Sequence, residues 1–341
     1  NGLRFAVRSN AEPRGRVALR LLVLAGSLHE RDDERGLAHF VEHMAFAGST
    51  HYPPGTLVGV LQRHGFAFGA DVSAFTFNTH TIYQLDAPAG EPARLAEAMS
   101  VLRDFADGVS FLPAEVERER GVVQSERRAR DNWQSRALDA RMAFLHPGTL
   151  LAARNPIGDE ATVQHATAGQ LRAFYRTWYR ADNLAVIAVG DASLDTLATL
   201  VREHFASLAP PATPLPPAPD PGSAGNPAGL EAQLHESREA GALSLELCSV
   251  LPGRAGVETR ADRASTIRGE LVMTMLNERM SQLRRAHAQQ FGSASATSLR
   301  ADPLYTESSL RIDAGVADAR AALFALGQEW RRAGSDGFSP D

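Results

Sequence analysis

The first two hundred or so residues mix two hydrophobic periods. Leu3–Arg8 and Arg16–Ala25 alternate as strands, joined by a turn over Asn10–Gly15, and Phe75–Leu85 alternates well enough for another strand. Leu184–Val189 is a short apolar strand closed by Gly190-Asp191. Helical spacing fills roughly 36–48, 56–64, 92–106, 113–130, 167–177 and 194–206. Pro113 suits the first turn of its helix, with Glu115 and Glu117 just inside the positive end of the dipole. Strands and helices alternate without the regular spacing of βαβ units. An α+β fold is therefore expected, in two-layer domains with a mostly antiparallel sheet packed by helices.

A compositional break divides the chain. Eight of the 19 prolines fall between Ala209 and Ala228, a run that cannot donate a regular hydrogen-bond ladder and favours an extended path. It reads as an interdomain linker over 209–228, between domains at 1–208 and 229–341. The second domain shows a strand near 242–250, a helix near 260–285, a strand near 304–314 and a helix near 316–333. Asp107-Gly108-Val109-Ser110-Phe111-Leu112-Pro113 has a partial echo in Ser335-Asp336-Gly337-Phe338-Ser339-Pro340, at an offset of 227 residues. On that pseudo-repeat the sequence stops where the next helix should begin, so the second domain is expected to be truncated.

Composition narrows the classes of function. The 35 basic and 40 acidic residues leave a net charge of −5, and every fixed cation is an arginine because the chain has no lysine. So mild an acidity gives no footprint for nucleic acid. The longest apolar stretch, Val17 to Gly26, is interrupted by Arg20 and too short for a membrane span. One cysteine, Cys248, excludes an internal disulfide framework.

The chemistry concentrates in His39-Phe40-Val41-Glu42-His43. On a helix these spacings put both imidazoles and the carboxylate on one side. Two neutral histidines four apart can hold one zinc, with the carboxylate beside it to act on a water. With 11 His in the chain, chance supplies roughly 0.02 such motifs. The flanking Leu37, Met44 and Phe46 make this an apolar helix, where two histidines and a glutamate need a reason. A third ligand must come from elsewhere. The helix near 113–130 offers Glu119 and Glu126, seven apart and nearly eclipsed, flanking Val122 and Val123. The spacing alone does not choose between them.

These residues resemble the insulinase/pitrilysin family of zinc metallopeptidases, the inverzincins, whose zinc motif is the inverted His-x-x-Glu-His. The bacterial PqqL-like branch looks most similar, through Gly26-Ser27-Leu28-His29-Glu30, Phe46-Ala47-Gly48-Ser49-Thr50, Glu119-Arg120-Gly121-Val122-Val123 and Trp178-Tyr179-Arg180-Ala181-Asp182-Asn183. The resemblance implies one Zn2+ held by His39, His43 and Glu126, with Glu42 as general base and Glu119 supporting from the outer shell. It implies that Ser73, Ala74, Phe75 and Thr76 form an edge strand against which an extended peptide or unfolded protein pairs. Ser73 stands where the family commonly has Asn, and Asn78-Thr79-His80 where an acidic residue is more usual; His80 reads as a strand histidine. The implied activity is that of a metalloendopeptidase, with a catalytic domain at 1–208 and a non-catalytic repeat at 229–341. The remaining C-terminal domains of the same polypeptide or a partner subunit would complete the substrate chamber, and the bacterial periplasm is preferred over the cytoplasm. The competing expectation is a non-catalytic peptide-binding or assembly subunit.

Overall fold

In the computed structural model the described residues are 1–222, 229–254, 256–301 and 303–338. The elements in chain order are β1 (Arg4–Ser9), β2 (Arg16–Val23), α1 (Leu37–Ala47), α2 (Leu57–Arg63), β3 (Val72–Thr76), β4 (Thr81–Pro88), α3 (Pro92–Asp107), α4 (Pro113–Arg130) and α5 (Trp133–Leu145). They continue with α6 (Leu150–Ala153), α7 (Glu160–His165), α8 (Ala168–Trp178), β5 (Leu184–Gly190), α9 (Leu194–Phe205), β6 (Leu243–Pro252), α10 (Arg260–Ala286), β7 (Phe291–Ala301), β8 (Tyr305–Ala314) and α11 (Ala319–Ser335).

The chain divides into two units, Asn1–Asp131 with Ala153–Asp220, and Asn132–Ala152 with Pro221–Asp341. The segment 132–152 thus goes with the second unit, whereas the sequence pattern groups it with 1–208. Arg141 of α5 accounts for this: it pairs with Glu246 at 2.8 Å and with Glu307, both on the second unit's sheet. Of the proline-rich run, 223–228 lies outside the described residues, as do positions 339–341 of the repeat.

The first unit is a five-stranded sheet in the order β1-β5-β2-β4-β3, with helices on one face. Only β1 and β5 run parallel; the other pairings are antiparallel. Strict alternation decides which face is covered. Val17, Leu19, Leu21 and Val23 of β2 are buried, and so are Tyr83, Leu85 and Ala87 of β4. Helix α3 returns Leu95, Met99, Leu102 and Phe105 to the same core. These observations bear out the α+β class.

Three expectations change. Strands β1 and β2 are joined by the 10–15 turn but are not neighbours, because β5 lies between them. The single strand expected over Phe75–Leu85 is a hairpin, β3 and β4, with 77–80 as its turn. Apolar Phe77 carries the alternation through that turn, yet its amide bonds across to the His80 carbonyl, and the turn docks on Ser27 and Leu28, whose amides donate to Phe77 and Asn78 carbonyls. Gly26 makes the docking possible, since a Cβ there would lie 2.0 Å from the Phe77 carbonyl oxygen. His80 consequently sits beside a turn, stacked on the Phe77 ring at 4.7 Å.

The second unit holds a three-stranded antiparallel sheet in the order β6-β8-β7, covered by α10 and α11. Strand β7 is a further departure, absent from the sequence pattern. Its Gly292-Ser293-Ala294-Ser295-Ala296-Thr297-Ser298 run is too small and polar to show alternation. At the offset of 227, β6 falls on β2, α11 on α3, and β6-β8-β7 repeats the order β2-β4-β3.

Candidate metal centre

The segment before α1 anchors that helix. Gly36, at φ 100, offers no side chain to the first helical amides. The buried Glu30 carboxylate takes them instead, accepting from Gly36 N at 3.0 Å and Ala38 N at 2.8 Å. Burial pushes the Glu30 carboxyl up to about 8, against those two amides, which favour its charged form. Leu37, Phe40, Val41 and Met44 then fix α1 in the core. The helical period sends His39, Glu42 and His43 together toward α4, which packs against α1.

Glu126 is the α4 carboxylate that meets both histidines. Its Oε2 lies 3.7 Å from His39 Nε2 and 3.3 Å from His43 Nε2. The three side chains can bring ligand atoms within 4.8 Å of one another, the one such group among the described residues. Both separations exceed an ordinary N–H···O hydrogen bond. They are close to the edge of about 3.4 Å in a tetrahedron built with bonds of about 2.0–2.2 Å. The imidazole planes stand at 86°, their centroids 4.7 Å apart. Two imidazoles and one carboxylate are a donor set that suits zinc and keeps a coordination position open. Nδ1 of His39 is buried with no hydrogen-bond partner in the structure.

Glu119 meets only the far side of His43, with Oε2 3.5 Å from Nδ1. Glu119 thus lies outside the group formed by His39, His43 and Glu126. The valine stripe is narrower than the sequence indicates: Val123 is buried, as is Val116, but Val122 is 46% exposed. Glu119 and Glu126 therefore line up with 116 and 123. Arg130, one turn beyond Glu126, pairs with its other oxygen, and Arg118 lies 3.3 Å from Glu119.

Electrostatics without an ion follow from this packing. Burial, aided by the His43 charge, lowers His39 to about 4, so its imidazole is neutral. Burial opposes charge on His43 too, but the facing carboxylates of Glu119 and Glu126 and the charge of Glu42 outweigh it and raise His43 to about 9. Glu126 is held down at about 2, mainly by His43. One proton on His43 thus occupies the place a cation would take. Glu42 is only 8% exposed. Its carboxyl is raised by burial, against a hydrogen bond from the Thr76 hydroxyl.

Ser73, Ala74, Phe75 and Thr76 all lie in β3, the last strand of the sheet, and Thr76 reaches the site directly. The Glu30 anchor and the Thr76 contact escape sequence reasoning, because each crosses a loop or a sheet register. Arg130 is likewise missed by the sequence reading, although its i,i+4 spacing from Glu126 is a local signal.

The insulinase (peptidase family M16) model matches residues 5–150, and the peptidase M16 inactive-domain model matches 165–341. The probable zinc protease PqqL of Haemophilus influenzae is 38% identical over 210 residues, covering 62% of this chain and 23% of that protein. Its namesake from Escherichia coli is 36% identical over 208 residues, 61% of this chain and 22% of the relative. The chain thus spans less than a quarter of these curated relatives. The crystal structure of the first half of the periplasmic protease PqqL from Escherichia coli superposes with a TM-score of 0.84 at 29% identity, over 99% of this chain and 72% of that one. No described helix is long and apolar enough to cross a membrane. With family models over both parts of the sequence and a solved relative along nearly all of it, this chain belongs to the insulinase family, peptidase family M16.

Proposed function

We propose that this chain carries the catalytic centre of a zinc-dependent metalloendopeptidase that cuts extended peptides or unfolded proteins. The observation that carries the reading is the convergence of His39, His43 and Glu126, with Glu42 on the same helix face. One Zn2+ would be held by these three side chains, with Glu119 orienting His43. Bound there, zinc supplies a Lewis acid that polarises a carbonyl and makes an adjacent water acidic near neutral pH.

The chain's own groups do the rest. Glu42 takes the proton of the attacking water and returns it to the leaving amine, general acid–base work worth typically about 10²–10⁴-fold. Its raised pKa suits a group that must both accept and release a proton. Strand β3, at the sheet edge, offers unpaired backbone groups to an extended substrate, so that recognition rests on main-chain hydrogen bonds. The second unit acts as a non-catalytic repeat, and further domains of the same polypeptide or a partner subunit complete the substrate chamber. The relatives named periplasmic favour the bacterial periplasm as its compartment.

Glu42→Gln in the full-length protein tests this. Zinc content stays at the wild-type level while cleavage of quenched fluorescent peptides falls at least about a hundredfold. Undiminished cleavage contradicts the assignment, and a wild-type protein that binds peptides without cutting them favours the binding-subunit reading.

A further inference from the structure

Strand alternation sorts the side chains of β3 onto two faces. Val72 is buried toward the core, and two steps along on that side Thr76 points at α1. Its Oγ1 donates to Glu42 Oε2 at 2.6 Å, the length of a charge-assisted bond. The same hydroxyl lies 3.5 Å from Thr81 Oγ1 on β4, and Thr81 donates to the Ala25 carbonyl at 3.0 Å. Each hydroxyl thus spends its single proton elsewhere than on the other, Thr76 on Glu42 and Thr81 on the Ala25 carbonyl. Tyr83 and Tyr179, whose hydroxyls bond to one another at 2.8 Å, make no hydrogen bond to Glu42. Among the described residues, Thr76 is the one hydrogen-bond partner of the Glu42 side chain.

We propose that Thr76 is a positioning residue for the general base, an inference that rests on the peptidase reading above. With Oε2 occupied by the hydroxyl, Oε1 is the oxygen left to receive a proton from water. The bond also stops the carboxylate from rotating toward His43 and Glu126, where it would compete for the ion. Because Thr76 belongs to the edge strand, its backbone and its side chain serve two partners at once. A peptide paired along β3 is brought into register against a carboxylate fixed by that strand. Substrate alignment and base orientation thus share one residue.

Two substitutions separate the hydroxyl from the side chain's shape. Thr76→Val keeps the branching and removes the donor, while Thr76→Ser keeps the donor and removes the methyl. In the full-length protein, Thr76→Val lowers kcat about ten- to a hundredfold, the span of a hydrogen bond to a charged group. KM stays within about twofold and zinc content is unchanged, and Thr76→Ser recovers at least about half of the wild-type kcat. A structural role alone would move both variants together. Wild-type kcat in Thr76→Val, or a Thr76→Ser as slow as the valine variant, overturns the inference. Glu42→Gln measured in parallel keeps the two claims apart: if it cleaves like wild type, the peptidase reading fails, and if it is dead while Thr76→Val is unimpaired, only the positioning role fails. The visible spectrum of the cobalt-loaded protein gives a readout independent of turnover. It changes in Thr76→Val as the freed Glu42 joins the ion, and returns in Thr76→Ser; an unchanged valine spectrum counts against the proposal.

Discussion

Helices α1 and α10 occupy matching places in two copies of the same three-strand plan, yet only α1 carries side chains of a candidate metal centre. At the offset of 227, His39, Glu42 and His43 correspond to Thr266, Gly269 and Glu270. Thr266 spends its hydroxyl on the Asp262 carbonyl of its own helix, an ordinary helical use. Burial differs as sharply as chemistry. Phe40 and Met44 are fully buried, whereas their counterparts Ile267 and Leu271 are 45% and 58% exposed. In the first unit α4 covers the motif helix and delivers Glu119 and Glu126 to it. One packing event thus provides desolvation and the carboxylate that completes the candidate group. The repeated sheet shows that the scaffold survives without the site, so the chemistry is a local addition to a fold held by its own core.

The largest expected contrast between the two helices is in stability. Phe40→Ala should cost about 3–5 kcal/mol, as truncation of a buried aromatic does, while Ile267→Ala should stay within about 1 kcal/mol. Denaturant unfolding of both variants measures this, and similar losses would break the comparison. A smaller effect separates the carboxylates. Glu119→Gln should weaken zinc binding by about 10–100-fold, as loss of an orienting partner does, while Glu270→Gln in α10 should leave it unchanged. Competition with a zinc chelator reads both.

The smallest effect per step comes from pH. In the metal-free chain His43 titrates near 9 and His39 near 4, so between these values an incoming ion displaces one proton, the one on His43. Apparent zinc affinity should therefore climb about tenfold per pH unit from pH 6 to 8 and level off above about 9. The sign follows from the raised histidine: lower pH fills the site with a proton and opposes the metal. A flat profile over pH 6–8 would show that His43 is not the group displaced.

What the sequence revealed and what it hid have the same physical root, the range over which a signal acts. Strong local patterns were readable. Val17, Leu19, Leu21 and Val23 alternate without interruption, and His39-x-x-Glu42-His43 sits on an apolar helix. Small residues in β7 left no period to read, and Phe77 carried one across a turn and merged two strands. The proximity of Glu126 to both histidines depends on how α4 crosses α1, so spacing left Glu119 and Glu126 equivalent until the fold was known. The carboxylate of Glu30 on the start of α1, the Arg141 pairs that place α5 with the second unit, and the Thr76 hydroxyl on Glu42 are all tertiary. None has a marker within a few residues of itself.

The central claim is that His39, His43 and Glu126 together bind one metal ion. Metal analysis of the purified protein after dialysis against limiting zinc, with wild type beside His39→Ala, His43→Ala and Glu126→Ala, tests it most directly. One zinc per wild-type chain and essentially none in each variant is the predicted result. A wild-type protein without zinc, or zinc retained in full by the Glu126 variant, would contradict it.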